Sequence, residues 1–404
     1  MLTTTVSVAE TSFIVAHNDP IEVDKSLTLA KIIDLTMEKF PDMAWLKSLE
    51  DEATAIRQRG ESFTAGASQA GLRFQEATSG TLHYVDATIQ VPLWNLGQRD
   101  AERERGLKAE NSADLQSKAI RLRIAGLVRV ALWDMQLQQV RYEQTRADIE
   151  LHEQLMTKVE RQVELGDLPR ADMLLAKTEF LQKLSNLTQA EAELMHARKR
   201  YSSITQLTKV PPSYQEKLAD KKEIEFNHPA FAAINSEIER KQSEIKATKL
   251  VGSGQTNLMV GVNSDRPSNN DPRSNNSESF NIGVNIPFGG EDHLQPHIAA
   301  LNVELNRLIA DREQLYRNLE LAHHEAEHNL EVNKAELEIA NELKEIAEKH
   351  LEMVQLSFSV GETSLMHLLE AQSKVQQHIL KAKERAIMSG RDIALYNQAV
   401  GILP

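Results

Sequence analysis

The feature that most restricts the fold is an unbroken helical stretch in the C-terminal half. Residues 297–360 contain neither glycine nor proline, and their apolar residues keep a seven-residue rhythm, at positions Leu301, Leu305, Leu308, Leu315, Leu319, Ala322 and Ala326. This spacing is typical of a coiled coil. At about 1.5 Å per residue the helix would reach roughly 96 Å, far longer than the helices of globular domains. Residues 107–165, interrupted only by Gly126, predict a second long helix.

The chain also repeats one structural unit. Pro92 has its counterpart in Pro287, Gly166 has its counterpart in Gly361, and both pairs are separated by 195 positions. Two separate landmarks with one offset indicate an internal two-fold repeat. The predicted divisions are an N-terminal extension and two repeats, at residues 1–26, 27–210 and 211–404.

Each repeat contains two short segments in which apolar and polar residues alternate, the pattern of a β-strand with one apolar face. In the second repeat these are residues 258–262 and 280–286, joined by the Asn- and Ser-rich residues 264–279, which predict an exposed hairpin loop. In the first repeat, residues 85–91 follow a weaker strand within 63–74. The chain is therefore predicted to be mainly α, with four strands.

The strands admit two interpretations. They could form a small patch packed on the helices of a soluble protein, or they could close into a larger sheet with other copies. A two-stranded ribbon leaves its edges open and buries little apolar surface, so it is unstable alone. Closure with other copies would pair these edges.

The duplicated strand ends, the long helices and the two glycine turns together resemble the TolC family of outer-membrane efflux proteins, over residues 27–403. The resemblance implies a homotrimer with a long periplasmic α-helical barrel, and four strands per protomer in a shared transmembrane β-barrel. It also implies three kinds of partner: a periplasmic adaptor (membrane fusion) protein, an inner-membrane pump such as an RND transporter, and outer-membrane lipid. The location implied is the outer membrane, with a periplasmic extension.

The resemblance also implies a pore constriction after the second turn. The family carries acidic rings at the sixth and ninth positions past the glycine, which are His367 and Glu370 here. Both residues lie on one helix face because they are three apart. His367 departs from the acidic pattern, and histidine changes charge near neutral pH, so the constriction is expected to be pH-sensitive. The alternative is that His367 packs between neighbouring helices.

The two turns are the expected contacts with the adaptor. Each is a hairpin tip at which glycine permits a tight reversal of the chain. The predicted contact residues are Leu165, Gly166 and Asp167 at the first tip, and Val360, Gly361 and Glu362 at the second.

One motif points to different chemistry. Residues 324–328 read His-Glu-Ala-Glu-His, which matches the zinc-protease string H-E-x-x-H. A catalytic zinc needs a third protein ligand, and position 347, where one protease class holds an acidic ligand, is Ala347. We therefore expect no enzyme activity, and keep a weak metal contact by His324 and His328 as an alternative.

Composition excludes several other classes. The chain has no cysteine, so disulfides, thiol catalysis and a lipidated N-terminal cysteine are excluded. A formal net charge of −13 argues against nucleic acid as a partner. The first nineteen residues show no signal-peptide pattern, and no phosphate-binding or dinucleotide motif occurs, so no cofactor is expected.

The function that follows is the exit duct of a tripartite efflux system, or of type I secretion, which conducts substrates passively. The alternative is a soluble, coiled-coil periplasmic adaptor or scaffold, although an adaptor would normally carry one hairpin rather than two. Residues 289–297 and the 13 histidines resemble CzcC-like ducts, which implies heavy-metal cations as substrates.

Overall fold

The computed structural model describes residues 20–76, 83–266 and 276–404. The helices in these ranges are α1 (Leu29–Lys39), α2 (Asp42–Glu61), α3 (Gln98–Leu165), α4 (Arg170–Thr205), α5 (Pro229–Lys249), α6 (Glu291–Ser359) and α7 (Leu365–Ala399). The strands are β1 (Glu22–Val23), β2 (Gln69–Glu76), β3 (His83–Leu93), β4 (Lys209–Val210), β5 (Thr256–Asp265) and β6 (Ser277–Asn285). The mainly α fold with four longer strands is confirmed.

Both long helices are present, with 68 residues in α3 and 69 in α6. Helix α3 begins nine residues before the predicted start, and Gly106 lies inside it rather than ending it. A Cβ at Gly106 would lie 3.0 Å from the Cα of Arg57 in α2, so this glycine permits a close approach of the two helices. The cost of an internal glycine is thus offset by packing.

The longer strands form one antiparallel sheet in the order β2-β3-β5-β6. Strand β2 begins at Gln69, later than the segment from residue 63 suggested, and β6 ends one residue before Ile286. The predicted loop 264–279 has its middle, residues 267–275, outside the described residues. The same holds for the start of the predicted N-terminal extension, residues 1–19.

The short parallel pair of β1 and β4 was not predicted. Glu22 pairs with Lys209 and Val23 with Val210, and the Lys209 ammonium lies 3.1 Å from the Asp24 carboxylate. Strands of two residues carry no periodicity, so the sequence gives no signal for them.

The chain divides into two compact units. The first consists of the described part of Met1–Phe40 together with Arg121–Glu225 and Leu319–Pro404. The second consists of Pro41–Ile120 and Phe226–Asn318, within the described residues. Each unit takes segments from both halves of the chain, and the division into repeats at residues 27–210 and 211–404 stays a prediction.

The first unit has its core around α3. Ile124, Val128 and Leu132 are fully buried, and so is the guanidinium of Arg129. Arg129 donates to both carboxylate oxygens of Glu216, at 2.8 and 2.6 Å, in the segment that follows β4. A buried charge needs such a partner, and the bidentate pair fixes this segment against α3.

In the second unit, the end of β3 is tied to its surroundings by side chains. The Asn95 amide donates to the carbonyl oxygens of Val251 and Gly254, both at 2.9 Å. The Trp94 indole donates to the Ser62 carbonyl at 3.1 Å, so this tryptophan packs at the junction between strand and helix. These contacts hold the start of β5 beside the end of β3.

Candidate functional site

One face of the sheet is mainly apolar, although Ser264 and Glu278 lie in the row of Val85. The strand register places Leu72, Ala87, Val262 and Phe280 in one row across all four strands, and the rows on either side continue with Val85, Ile89, Val260 and Ile282. Phe280 is 64% exposed and Ile282 is 65% exposed. An exposed apolar surface of this kind marks an interaction site with protein or lipid.

The opposite face of the sheet is polar. Its rows are Gly71, Thr88, Gly261 and Asn281, then Arg73, Asp86, Asn263 and Ser279. Gly261 is required by space, because a Cβ there would lie 2.7 Å from the Asn281 side-chain oxygen and 2.8 Å from the Thr88 methyl. In the described residues the outer strands β2 and β6 each pair on one side only, so the sheet has two open edges.

The two hairpin tips have the same backbone geometry. Gly166 and Gly361 adopt φ values of +87° and +78°, in the left-handed region that favours glycine. The next residue donates back across the turn in each case, from Asp167 to Gln162 and from Glu362 to Ser357, both at 2.9 Å. Both tips are therefore Schellman turns.

The tips also expose the residues predicted to contact an adaptor. Leu165 and Val360 are each 63% exposed, and the two residues that follow each of them are exposed as well. Beneath the tips, the hairpins share one apolar cluster of buried residues: Leu155, Val159, Ala176, Leu365, Leu368 and Leu369. The cluster holds the tips in place, while the tips themselves make few contacts within the chain.

His367 and Glu370 lie in the first turns of α7 and are both exposed. The helix begins at the N-cap Ser364, whose hydroxyl accepts from the His367 N–H at 3.4 Å. Lys374, which sequence reasoning missed, donates to the Glu370 carboxylate at 2.9 Å and lowers the pKa of this carboxyl. The spacing of four residues was the signal that could have identified it.

The predicted metal pair lies on α6. His324 and His328 are exposed, and their rings stack with centroids 6.4 Å apart. Within residues 20–76, 83–266 and 276–404 there is no group of three or more His, Cys, Asp or Glu side chains arranged to hold a metal ion. The described chain thus offers the H-E-x-x-H motif no third ligand, and two histidines remain.

Helix α6 carries a further surface that sequence reasoning missed. Large apolar side chains repeat every seven residues on its exposed side, at Val332, Ile339, Ile346 and Met353, and the row continues at Val360, just past the end of the helix. This set is called the α6 stripe below. Helix α4 has a shorter counterpart, the exposed pair Leu174 and Leu181. A seven-residue stripe is the signature of a helix that packs along another helix, and in this chain both stripes face solvent.

No helix within the described residues contains an apolar stretch long enough to cross a membrane. The sequence matches no protein-family model and no curated protein.

Solved structures, by contrast, match over almost the whole chain. CusC, whose structures are described in terms of transmembrane channel formation, has a TM-score of 0.72 at 12% identity, covering 95% of this chain and 94% of that one. The outer-membrane protein VceC of Vibrio cholerae has a TM-score of 0.70 at 12% identity, covering 93% and 97%. The open state of the Neisseria gonorrhoeae MtrE outer-membrane channel has a TM-score of 0.68 at 13% identity, covering 100% and 97%.

The chain has the TolC-type channel fold. The predicted fold class is therefore confirmed, because likeness over the full length requires the strands and both hairpins to occur in the same order. In this fold the apolar sheet face, the hairpin tips and the exposed stripes are the surfaces left without partners in a single chain.

Proposed function

We propose that this protein is the outer-membrane exit duct of a tripartite efflux system, formed by three copies of the chain. The observation that carries the proposal is the four-stranded sheet with one exposed apolar face, one polar face and two open edges. Open edges pair with the strands of other copies when a sheet closes. In the closed sheet the apolar face contacts lipid, and the polar face lines a wet lumen.

The helical surfaces support the same assembly. The α6 stripe and the α4 pair are exposed apolar rows in a region that is otherwise rich in charge. When copies surround one axis, α6 of one copy packs along α4 of the next, and both rows are buried. Each Å² of apolar surface that is buried in this way stabilises the trimer by about 25 cal/mol.

The duct narrows at the periplasmic end in this proposal. His367, Glu370 and Lys374 occupy one face of α7 at spacings of three and four residues. Three copies would place these side chains in stacked rings, in which Lys374 offsets the charge of Glu370.

The hairpin tips are the proposed contacts with a periplasmic adaptor, which couples the duct to an inner-membrane pump such as an RND transporter. Both tips expose one apolar side chain, Leu165 or Val360, followed by glycine and an acidic residue. Two tips of the same shape allow one kind of adaptor surface to be bound twice per protomer. Binding at two sites raises the overall affinity for the adaptor without any new kind of contact.

Heavy-metal cations are the proposed substrates. The supporting features are the 13 histidines, several of them on α6, and the net charge of −13, which attracts cations.

The alternative of a soluble adaptor or scaffold predicts a different use of the sheet, which would have to pack against other protein. It is not favoured, because the structures that match the full chain are channels and because each of the two hairpins follows a pair of strands.

A pair of neighbouring substitutions in β6 tests the proposal. Ile282→Asp puts a carboxylate on the apolar face, where a charge is destabilising if the face lies in lipid, and reconstitution into planar bilayers should fail. Asn281→Asp puts the same charge on the polar face, and the channels should form with higher cation selectivity. Equal behaviour of the two variants, or wild-type protein that gives no conductance, would refute the exit-duct proposal.

A further inference from the structure

His324 and His328, two of the exposed histidines of α6, belong to none of the surfaces assigned so far. The α6 stripe begins at Val332, one helical turn beyond His328, and the H-E-x-x-H motif has no third ligand within the described residues. His324 and His328 nevertheless stand one helical turn apart, with rings inclined by 23° to each other. The pair therefore presents two imidazole rings side by side to solvent.

The helix explains why these two histidines are free while their neighbour is not. Successive residues of an α-helix point about 100° apart, whereas residues i and i+4 share a face. His323 is turned toward α7, where its Nε2 lies 3.4 Å from the hydroxyl of Tyr396. His324 and His328 are turned away from that contact and are exposed.

The surroundings favour a cation. Glu320, Glu327 and Glu331 lie at i−4, i+3 and i+7 from His324, so they follow the same side of the helix, and all three are exposed. Their charges raise the local concentration of cations around the two rings.

We propose that His324 and His328 form an open, two-ligand site for a borderline divalent transition metal, with Cu²⁺ bound most tightly. Two nitrogen donors on one helix face span adjacent positions of a tetragonal shell, the geometry that Cu²⁺ prefers, and the Irving–Williams order places Cu²⁺ above Ni²⁺ and Zn²⁺. Water fills the remaining positions. Such a site binds weakly and exchanges quickly, because only two ligands come from the protein.

The role of this site as a step in metal passage rests on the proposed function as an exit duct. A conducting pathway needs sites that attract the ion but release it again, and a two-ligand site satisfies both conditions. Binding of the metal by the helix does not depend on that role, so the two are tested separately.

Copper titration of the full-length protein in detergent tests the site. Helix α6 holds a second pair with the same spacing, His293 and His297, so every variant is built on a His293→Gln/His297→Gln background. In that background, Cu²⁺ alone should bind with the electron paramagnetic resonance signature of two equatorial nitrogens. His324→Gln should weaken the apparent Kd by about tenfold or more, because one donor of the chelate is lost.

The matched control keeps the number of histidines and changes only their spacing. His328→Gln/Asn329→His moves the second ring to i+5, about 140° from the first, and should bind Cu²⁺ as weakly as His324→Gln. Circular dichroism checks that the helix content is unchanged. The inference is overturned if the control binds like the parent, or if the parent shows no two-nitrogen spectrum.

The bilayer experiment separates this result from the fate of the exit-duct proposal. A protein that binds Cu²⁺ through the pair but forms no channel would retain the site and lose the duct. A protein that conducts normally but binds no Cu²⁺ through the pair would retain the duct and lose the site.

Discussion

The two helical hairpins of this chain have the same tips but different middles. At the tips, Gly166 and Gly361 share the left-handed backbone and the return hydrogen bond, at one offset of 195 positions. Farther along, α3 and α4 bury an ionised cluster, whereas the equivalent positions of α6 and α7 hold Leu343, Ala347 and His378. The two turns are therefore more alike than the residues that pack between the helices they join.

The buried cluster consists of Asp148, His152 and Lys183. The Asp148 carboxylate lies 2.9 Å from the Lys183 ammonium, and the His152 Nδ1 lies 2.9 Å from the Asp148 carbonyl oxygen. Burial raises the pKa of the Asp148 carboxyl, but the hydrogen bonds from His152 and Lys183 outweigh it, and the net direction is downward. A buried ion pair thus joins α3 to α4, and the equivalent positions of α6 and α7 hold no such pair of opposite charges.

The two hairpins also differ in which of their helices exposes apolar side chains. Near the tips, Leu174 in α4 is 63% exposed, while its equivalent in α7, Leu369, is buried. Each hairpin has one helix that packs within the chain and one that shows an apolar stripe to solvent. Within a duplicated hairpin, one helix thus packs inside the chain and the other leaves an apolar row exposed to solvent.

The largest effect is expected from charge on the α6 stripe. Ile339→Asp/Ile346→Asp should abolish the trimer, because two buried carboxylates per interface cannot be solvated there. Sedimentation in detergent should show single chains. The control Asn329→Asp/Asn341→Asp adds the same charge at exposed positions off the stripe, and should leave the trimer intact. A stable trimer of the stripe variant would show that α6 does not face a neighbouring copy.

The next largest effect is expected in the buried cluster. Lys183→Met leaves the Asp148 carboxylate buried without its cation, which should cost about 3 kcal/mol of unfolding free energy at neutral pH. Because the folded-state pKa of Asp148 is lowered, the stabilisation exists above the unfolded-state value of about 4 and is lost as the pH falls through the folded-state value. Thermal melts should therefore show the difference between variant and wild type shrinking in acid.

The comparison pair in the second hairpin is Glu370 and Lys374, which is exposed. Lys374→Met should leave the melting temperature within experimental error of the wild type, because exposed ion pairs contribute little. If both lysine substitutions had the same effect on the melting temperature, the contrast between a buried and an exposed pair would be wrong.

A smaller loss is expected where the hairpins touch. A Cβ at Gly390 in α7 would overlap the Trp133 ring of α3, so Gly390→Ala should cost about 1 to 3 kcal/mol. The neighbouring Ser389→Ala removes one oxygen without entering the ring, and should be nearly neutral. Trp133→Leu combined with Gly390→Ala should lose less than the sum of the single changes in a thermal double-mutant cycle. Additive losses would mean that the two residues are not coupled.

The smallest effect concerns the tips. No atom lies within 4 Å of a Cβ placed at Gly166 or Gly361, so only backbone strain opposes a side chain there. Gly166→Ala and Gly361→Ala should each cost about 1 to 2 kcal/mol, and the two costs should agree. Asn in place of alanine should recover part of the loss. Unequal costs in matched melts would show that the turns are not equivalent.

Much of the fold could be predicted because its signals extend over many residues. The long helices and the four strands each rest on several periods of apolar spacing, and the tips rest on glycines with one common offset. The pairing of β1 with β4 could not be predicted, since two residues per strand form no pattern. The early start of α3 was missed because the close approach at Gly106 depends on α2, which is distant in sequence.

The candidate site was predicted less completely. The position of Lys374 follows from its spacing to Glu370, and the α6 stripe is visible as a seven-residue repeat. The sequence could not show that the α6 stripe faces solvent, because packing of α3 and α7 decides which side of α6 is covered. The contact between Asp148 and Lys183 joins two helices, and no local pattern brings these residues together.

Closure of the sheet by other copies is the central claim, and cross-linking across its open edges tests it most directly. The chain has no cysteine, so Arg73→Cys in β2 and Ser279→Cys in β6 supply the only thiols. Within one copy these positions share a row and lie three strand spacings apart, roughly 14 Å, which a shorter bismaleimide cannot span. Closure by three copies should give a covalent ladder that ends at three chains. Protein that stays single, or a ladder that continues without end, would contradict it.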